Sequence, residues 1–417
     1  MGYLKLSEPK RNSLKTAQKP DQNDSYAKHF WPLMKNTITE EDRQEMIDFI
    51  KSTDRFTNGP KVRQFEKVWS DWLGVNYSLY VSNGSTANFL LVAAIKEKNN
   101  LKEGDKVLVP SMTWVTNIGP IMQLGLEPIF CDVDPENFCF DIKHMEYLSK
   151  KHDDIKMVFV SHLFGITGEM DEYKRIFPNS IFIEDVCESH GATYKGKKAG
   201  TLSNGSTFSF YFGHHMTTIE GGFVCTDDQD LYELMRAKRS HGLAREMSTD
   251  RFESAKKSHP NVHPQFLFIT DGYNFRNTEI NAVLGLSQIK RLDSNNQTRI
   301  RNFNRFLEII SKHKRLSSEF KTEGMSPYCM IFRCDSEELR RALEAHLQSN
   351  GVETRPLCGG NLLNQPFLRD YQLDIPWDSN VEKLDTQGFF IGNNHMITDE
   401  DFSALDNLLG EFFARGI

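Results

Sequence analysis

The 417-residue chain has no apolar run close to the ~20 residues that a membrane-crossing helix needs. It has no CxxC pair: Cys131, Cys139, Cys187, Cys225, Cys329, Cys334 and Cys358 are scattered and odd in number. That spacing gives no zinc or iron–sulfur signature and no disulfide framework, and it favours a reducing compartment, the cytoplasm. It has no excess of positive charge. The net charge of −7 argues against nonspecific nucleic-acid binding, though not against a local anion pocket. Met1 to Asn23 is basic and polar without an apolar core, so it does not read as a secretory signal. Residues 1–24 are expected to form an N-terminal arm or a lid on a partner subunit.

What is present is a globular composition, 39% hydrophobic and 26% charged. The length suits a large unit and a smaller one. We expect the first over residues 25–290 and an α+β second over 291–417. Glu40 to Lys51 and Val62 to Leu73 have helical periodicity. Then strands and helices alternate: strands at 77–81, 106–109, 128–133, 157–160 and 181–183, helices at 87–98 and 114–124. Such alternation predicts an α/β fold with a mixed, mostly parallel sheet between helices, with ligands at the carboxyl ends of the strands. Thr207 to Phe212 and Phe223 to Thr226 add strands. A helix is expected from Asp230 to His241, and irregular polar chain from there to Pro264. An amphipathic helix over 278–292 is expected to resume, after a break, over 299–314.

Three groups lie at expected strand ends. Ser82-Asn-Gly-Ser-Thr86 opens a helix, whose free N–H groups favour an anion. Gly84 permits close approach, and Ser85 and Thr86 offer hydroxyls. A plain helix cap explains the same residues. Asp185 ends a buried strand, where a carboxylate needs a cation or donors. A protonated pyridine nitrogen would serve, and so would the N–H groups of a following helix. Trp114 offers a flat face to a ring, or a core side chain. Cradle, plate and carboxylate are the parts that hold pyridoxal phosphate. Such enzymes use a lysine for a Schiff base, yet no lysine occurs between Lys198 and Lys238. The adjacent pair His214-His215 stands at the loop end instead.

In order, Thr57-Asn-Gly-Pro60, Ser82-Asn-Gly-Ser85, Pro110-Ser-Met-Thr-Trp114, Glu184-Asp-Val-Cys-Glu-Ser-His-Gly191, Ser209-Phe-Tyr, Glu220-Gly-Gly222, Gly272-Tyr-Asn-Phe-Arg276 and Glu353-Thr-Arg-Pro356 carry a resemblance. From about Phe56 onward the chain resembles the sugar aminotransferase family of pyridoxal-phosphate enzymes. Ordinary members have lysine where this chain has His214. The Gly213-to-Gly222 run is similar to a small subgroup of 3-dehydratases with His-His there. A CDP-sugar member of that kind uses an iron–sulfur cluster, but the closely spaced cysteines expected for it are absent here, and no metal is expected.

The resemblance implies the aspartate aminotransferase superfamily fold (fold type I) and a homodimer with shared sites. It implies pyridoxal 5'-phosphate and its pyridoxamine form, untethered, as cofactor. The substrates it implies are L-glutamate and a nucleotide-linked 4-keto-6-deoxy sugar, with GDP-4-keto-6-deoxymannose foremost. The C-3 hydroxyl would be removed and ammonia released. His214 is implied as base, Asp185 as partner of the pyridinium nitrogen and Trp114 as stacking plate. Gly84, Ser85 and Ser209 would hold the phosphate, with Asn274 reaching the phosphate of the neighbouring subunit. Glu188, which stands where many relatives have glutamine, is implied as a further cofactor contact. Glu353 and Arg355 would meet the amino donor or the sugar, or form a surface pair, and His215 would be structural. An aminotransferase with His214 moving protons, or a non-catalytic binding relative, are the alternatives. Retention of Asp185, Trp114, Ser209 and the phosphate loop argues against the last.

Overall fold

A computed structural model describes residues 29–416. The expected arm, residues 1–24, lies outside the described residues. Twelve strands are β1 Tyr77–Val81, β2 Lys106–Pro110, β3 Glu127–Cys131, β4 Met157–Ser161, β5 Ile181–Asp185, β6 Thr193–Tyr194, β7 Lys197–Lys198, β8 Gly205–Ser209, β9 Gly222–Thr226, β10 Cys329–Arg333, β11 Thr354–Pro356 and β12 Gly388–Gly392.

Seven of them form one sheet in the order β1-β9-β8-β5-β4-β2-β3. The pairs β8–β5, β5–β4, β4–β2 and β2–β3 are parallel, whereas β9 runs antiparallel to both β1 and β8. The sheet is therefore mixed and mostly parallel, and every strand but β9 ends on one edge. The strands β4, β8 and β9 are buried at every position; β4 and β9 accordingly read as apolar runs without alternation, whereas β8, Gly-Ser-Thr-Phe-Ser, buries three hydroxyl side chains.

One face packs against helix Gly84–Lys98, with Leu90, Leu91 and Ala94 meeting Val107, Phe159 and Ile183. Elsewhere Val62, Phe65 and Trp69 of helix Pro60–Leu73 join Phe208, Phe210 and Phe223. A small antiparallel sheet, β10-β12-β11, packs on the last helix, Asp399–Ala414, and on the end of a long helix, Glu279–Ile310. Trp31 is tied to this small sheet, its indole N–H donating to Gly392 O at 2.9 Å. Position 290 lies inside the long helix.

Three expectations differ from the structure. The long helix is continuous, with no break after 292. Its polar run is polar because it bonds outward: Asp293 accepts from the Trp72 indole at 3.0 Å, and Asn296 donates to His190 O at 2.8 Å. The helix expected over 114–124 is a single turn, Val115–Asn117, followed by Gly119–Gln123. Pro120 has no N–H to donate back to the preceding turn, so it fits the first turn of the second helix and not the interior of a continuous one. The polar stretch after residue 245 contains a helix, Thr249–Ser258, with no buried residue and so no apolar stripe to read.

Candidate active site

The carboxyl ends of β1, β2, β4, β5 and β8 converge on a cavity of about 410 Å³. Helix Gly84–Lys98 starts there on a reciprocal cap: Asn83 Oδ1 accepts from Thr86 N at 2.8 Å, and Asn83 N donates to Thr86 Oγ1 at 3.2 Å. Gly84 faces the end of β8 so closely that a Cβ on it would stand 2.6 Å from Ser209 Cβ. Gly84, Ser85 and Ser209 thus share one wall.

Asp185, at the end of β5, is 5% exposed. Its Oδ2 accepts from Asn88 Nδ2 at 2.8 Å and Asn117 Nδ2 at 2.9 Å, and its Oδ1 from Cys187 N at 2.9 Å. All three donors are neutral, and no lysine or arginine of the described residues pairs with it. A buried carboxylate with donors but no cation fits a ligand that brings positive charge. Behind it, Glu184 meets His162 at 3.1 Å and accepts from Gly200 N and Leu202 N. Burial works against ionisation of Glu184, but these hydrogen bonds and the imidazole prevail and hold it below the usual carboxylate range.

Trp114 is 56% exposed and lines the cavity instead of packing in the core. His214 lines the same cavity from the loop after β8. Its N–H donates to Tyr211 O at 3.0 Å, and its Nδ1 is buried without a protein partner. Burial lowers its pKa to about 4; the Asp185 charge raises it in part and Arg299 lowers it. The imidazole is therefore neutral at physiological pH. His215 points away, fully packed, with Nε2 at 2.9 Å from Ser326 O. Glu188 accepts from Phe164 N at 3.1 Å, and burial with the nearby Asp185 charge raises its pKa to about 7.

A second cavity of about 360 Å³ adjoins the first and shares Trp114, Glu188, Tyr211 and Tyr328 with it. Glu353 and Arg355 line it as an ion pair of 3.2 Å. Glu353 also accepts from Leu33 N at 3.0 Å. Asn274 stands apart: it is exposed, accepts from Arg276 Nε at 3.0 Å and lines neither cavity. Tyr211 and Tyr328 were not singled out from the sequence. Tyr211 belongs to the Ser209-Phe-Tyr motif and had a signal. Tyr328 comes from the start of the small sheet, and only the fold brings it to within 5.6 Å of His214, ring to ring.

The cationless carboxylate, the Gly84–Ser209 wall, the exposed indole and the unpartnered imidazole fit a phosphorylated aromatic cation such as pyridoxal phosphate. No lysine lines the cavity. The chain belongs to the DegT/DnrJ/EryC1/StrS aminotransferase family, whose pattern it matches over residues 36–405. It is 34% identical over 387 residues to the GDP-4-keto-6-deoxy-D-mannose 3-dehydratase of Yersinia pseudotuberculosis, covering 91% of this chain and 98% of that one. It is 30% identical to a GDP-perosamine synthase of Escherichia coli O157:H7, covering 78% and 84%. The structure superposes, at a TM-score of 0.82 and 31% identity, on a GDP-4-keto-6-deoxymannose-3-dehydratase with a trapped PLP–glutamate geminal diamine, covering 91% of this chain and all of that one. The fold is thus that of the fold type I pyridoxal-phosphate enzymes.

Proposed function

We propose that the protein is a pyridoxal-phosphate-dependent lyase that removes the C-3 hydroxyl of GDP-4-keto-6-deoxy-D-mannose. L-Glutamate is the amino donor. The sum is balanced: keto sugar and glutamate give 3-deoxy-4-keto sugar, 2-oxoglutarate and ammonia. The observation that carries this reading is an imidazole, and no lysine, on the wall of the cofactor cavity.

The cofactor, when bound, supplies an electron sink and, in its amine form, a nitrogen that condenses with a ketone. Asp185 holds the pyridinium nitrogen. Gly84, Ser85 and Ser209 hold the phosphate, and Trp114 covers the ring. His214, neutral because it is buried, accepts a proton at its ring nitrogen and returns it to the departing hydroxyl. An imidazole cannot recapture the product covalently as lysine would, so loss of oxygen is favoured over gain of an amine. Glu188, near its midpoint at neutral pH, can donate a hydrogen bond as glutamine does. The second cavity takes the sugar nucleotide beside Glu353 and Arg355. Asn274 completes the phosphate site of a second copy, which makes the working unit a homodimer. The free cysteines are consistent with work in the cytoplasm.

The test is borohydride reduction after incubation with one equivalent of pyridoxal phosphate, followed by intact-mass measurement. The untethered cofactor predicts an unmodified chain. A stoichiometric lysine adduct at the site would contradict it.

A further inference from the structure

The motif residue His190 has no part in the chemistry above, yet it lies beneath the cavity. Its ring is buried between Phe208 and Phe210, nearly parallel to both at 5.6 and 5.4 Å. His190 Nδ1 stands 3.3 Å from His215 Nδ1. On its far side, His215 Nε2 stands 2.9 Å from Ser326 O. Ser326 Oγ in turn donates to His190 O at 2.7 Å. These contacts close a ring of three buried residues.

Chemistry fixes the protons in that ring. A carbonyl oxygen only accepts, so His215 Nε2 carries a hydrogen. In the neutral imidazole, Nδ1 is then a lone pair. His190 Nδ1 must be the donor, because two lone pairs would otherwise face each other. Burial, with Arg299 nearby, holds both imidazoles well below their ordinary pKa, so the neutral forms prevail. One tautomer pair satisfies all the contacts. It pins His215, the residue directly after His214. The enclosure is tight elsewhere as well: Gly165, at φ +90°, lies where a Cβ would run into Ser326 O.

We propose that His190, through its Nδ1–H bond to His215, is the positioning residue that aims His214 into the cofactor cavity. This rests on the reading of His214 as the base. The His214 ring has no protein hydrogen bond at Nδ1, so its direction follows the backbone that carries it. That backbone is tied by His214 N to Tyr211 O and by Thr218 N to Phe210 O, and directly after His214 by the His215 ring. Packing alone would be satisfied by any flat ring between Phe208 and Phe210.

The test compares His190→Phe, which keeps the flat ring, with His190→Gln, whose amide can still donate to His215. The purified proteins are followed by imidazole 15N resonances and by steady-state dehydration. In the unaltered protein His215 should show a single Nε2–H tautomer from about pH 6 to 8. In His190→Phe the Nε2–H form, fixed by Ser326 O, should remain, while the His215 Nδ1 resonance should shift because its lone pair has lost the His190 donor. The kcat of this variant should fall by about 10²-fold, the scale of a small misplacement, with KM for the sugar unchanged. His190→Gln should recover most of the loss. An unaltered His215 Nδ1 resonance and unaltered kcat in His190→Phe would overturn the proposal. If His190→Phe does not fold, His190→Leu, which likewise lacks the donor to His215, decides by the same split of kcat from KM. His214→Asn is run beside them. If it still dehydrates, the base assignment fails; if it is inactive while His190→Phe turns over normally, only the positioning role fails.

Discussion

At the scale of single residues, burial sets the protonation states on which the site depends. His214 is held neutral down to about pH 4, so it is available as a base across the physiological range. Substituting His214 by Asn should lower the dehydration rate by about 10²–10⁴-fold, the usual contribution of a positioned base. Glu188 is pushed the other way, to about 7. An ionisation near 7 should therefore appear in the pH dependence of kcat/KM and vanish in Glu188→Gln. A profile identical in both proteins would show that Glu188 does not titrate at the site. Asp185, Trp114 and His214 could be found in the sequence because each broke a local expectation: a charge on a buried strand, a tryptophan at a helix start, a histidine where a lysine belongs. The partners of Asp185 could not. Asn88 and Asn117 are 97 and 68 residues away from it, and nothing in their own segments marks them.

At the scale of elements, the parallel strands β2 to β5 were legible because each is a short, largely apolar run between turn residues; β8, Gly-Ser-Thr-Phe-Ser, is not, and it lies at 205–209 where 207–212 was expected. The helices that failed to read have identifiable causes. Thr249–Ser258 buries nothing, so it carries no stripe. In the long helix, residues that look like breakers are bonded to other elements, Asn296 to His190 O and Asp293 to Trp72. The turn Leu163–Gly165 is an exacting connection. Gly165 has φ +90°, and Ser326 N donates to its carbonyl at 2.8 Å. Gly165→Ala combines a left-handed backbone with a collision on Ser326, and should destabilise by at least about 1–3 kcal/mol. The shift in the urea midpoint measures it; a change under about 0.5 kcal/mol, the usual range for neutral surface changes, would contradict the account.

At the scale of the whole molecule, the buried imidazoles make stability depend on pH. His190 and His215 are lowered well below their ordinary value, and His214 to about 4. In the unfolded chain they bind protons below about 6.5. Between those limits the unfolded state binds more protons, so stability rises with pH and is lost as pH falls through that window. Denaturant midpoints should therefore drop from about pH 6.5 downward, and less steeply in His214→Asn. The exposed Asn274 carries the other prediction at this scale. If it completes a partner's site, His214→Asn and Asn274→Ala are each defective alone, but chains mixed by refolding should regain activity, because a mixed dimer contains one intact site. No recovery would mean that each chain works unaided.

The central claim is that this cavity removes an oxygen. Its most direct test is mass spectrometry of the product from GDP-4-keto-6-deoxy-D-mannose, L-glutamate and pyridoxal phosphate, with ammonia followed in parallel. The account predicts a sugar nucleotide lacking one oxygen, with ammonia released in equal amount. A product that keeps its C-3 oxygen and carries a new amine at C-4 would contradict it.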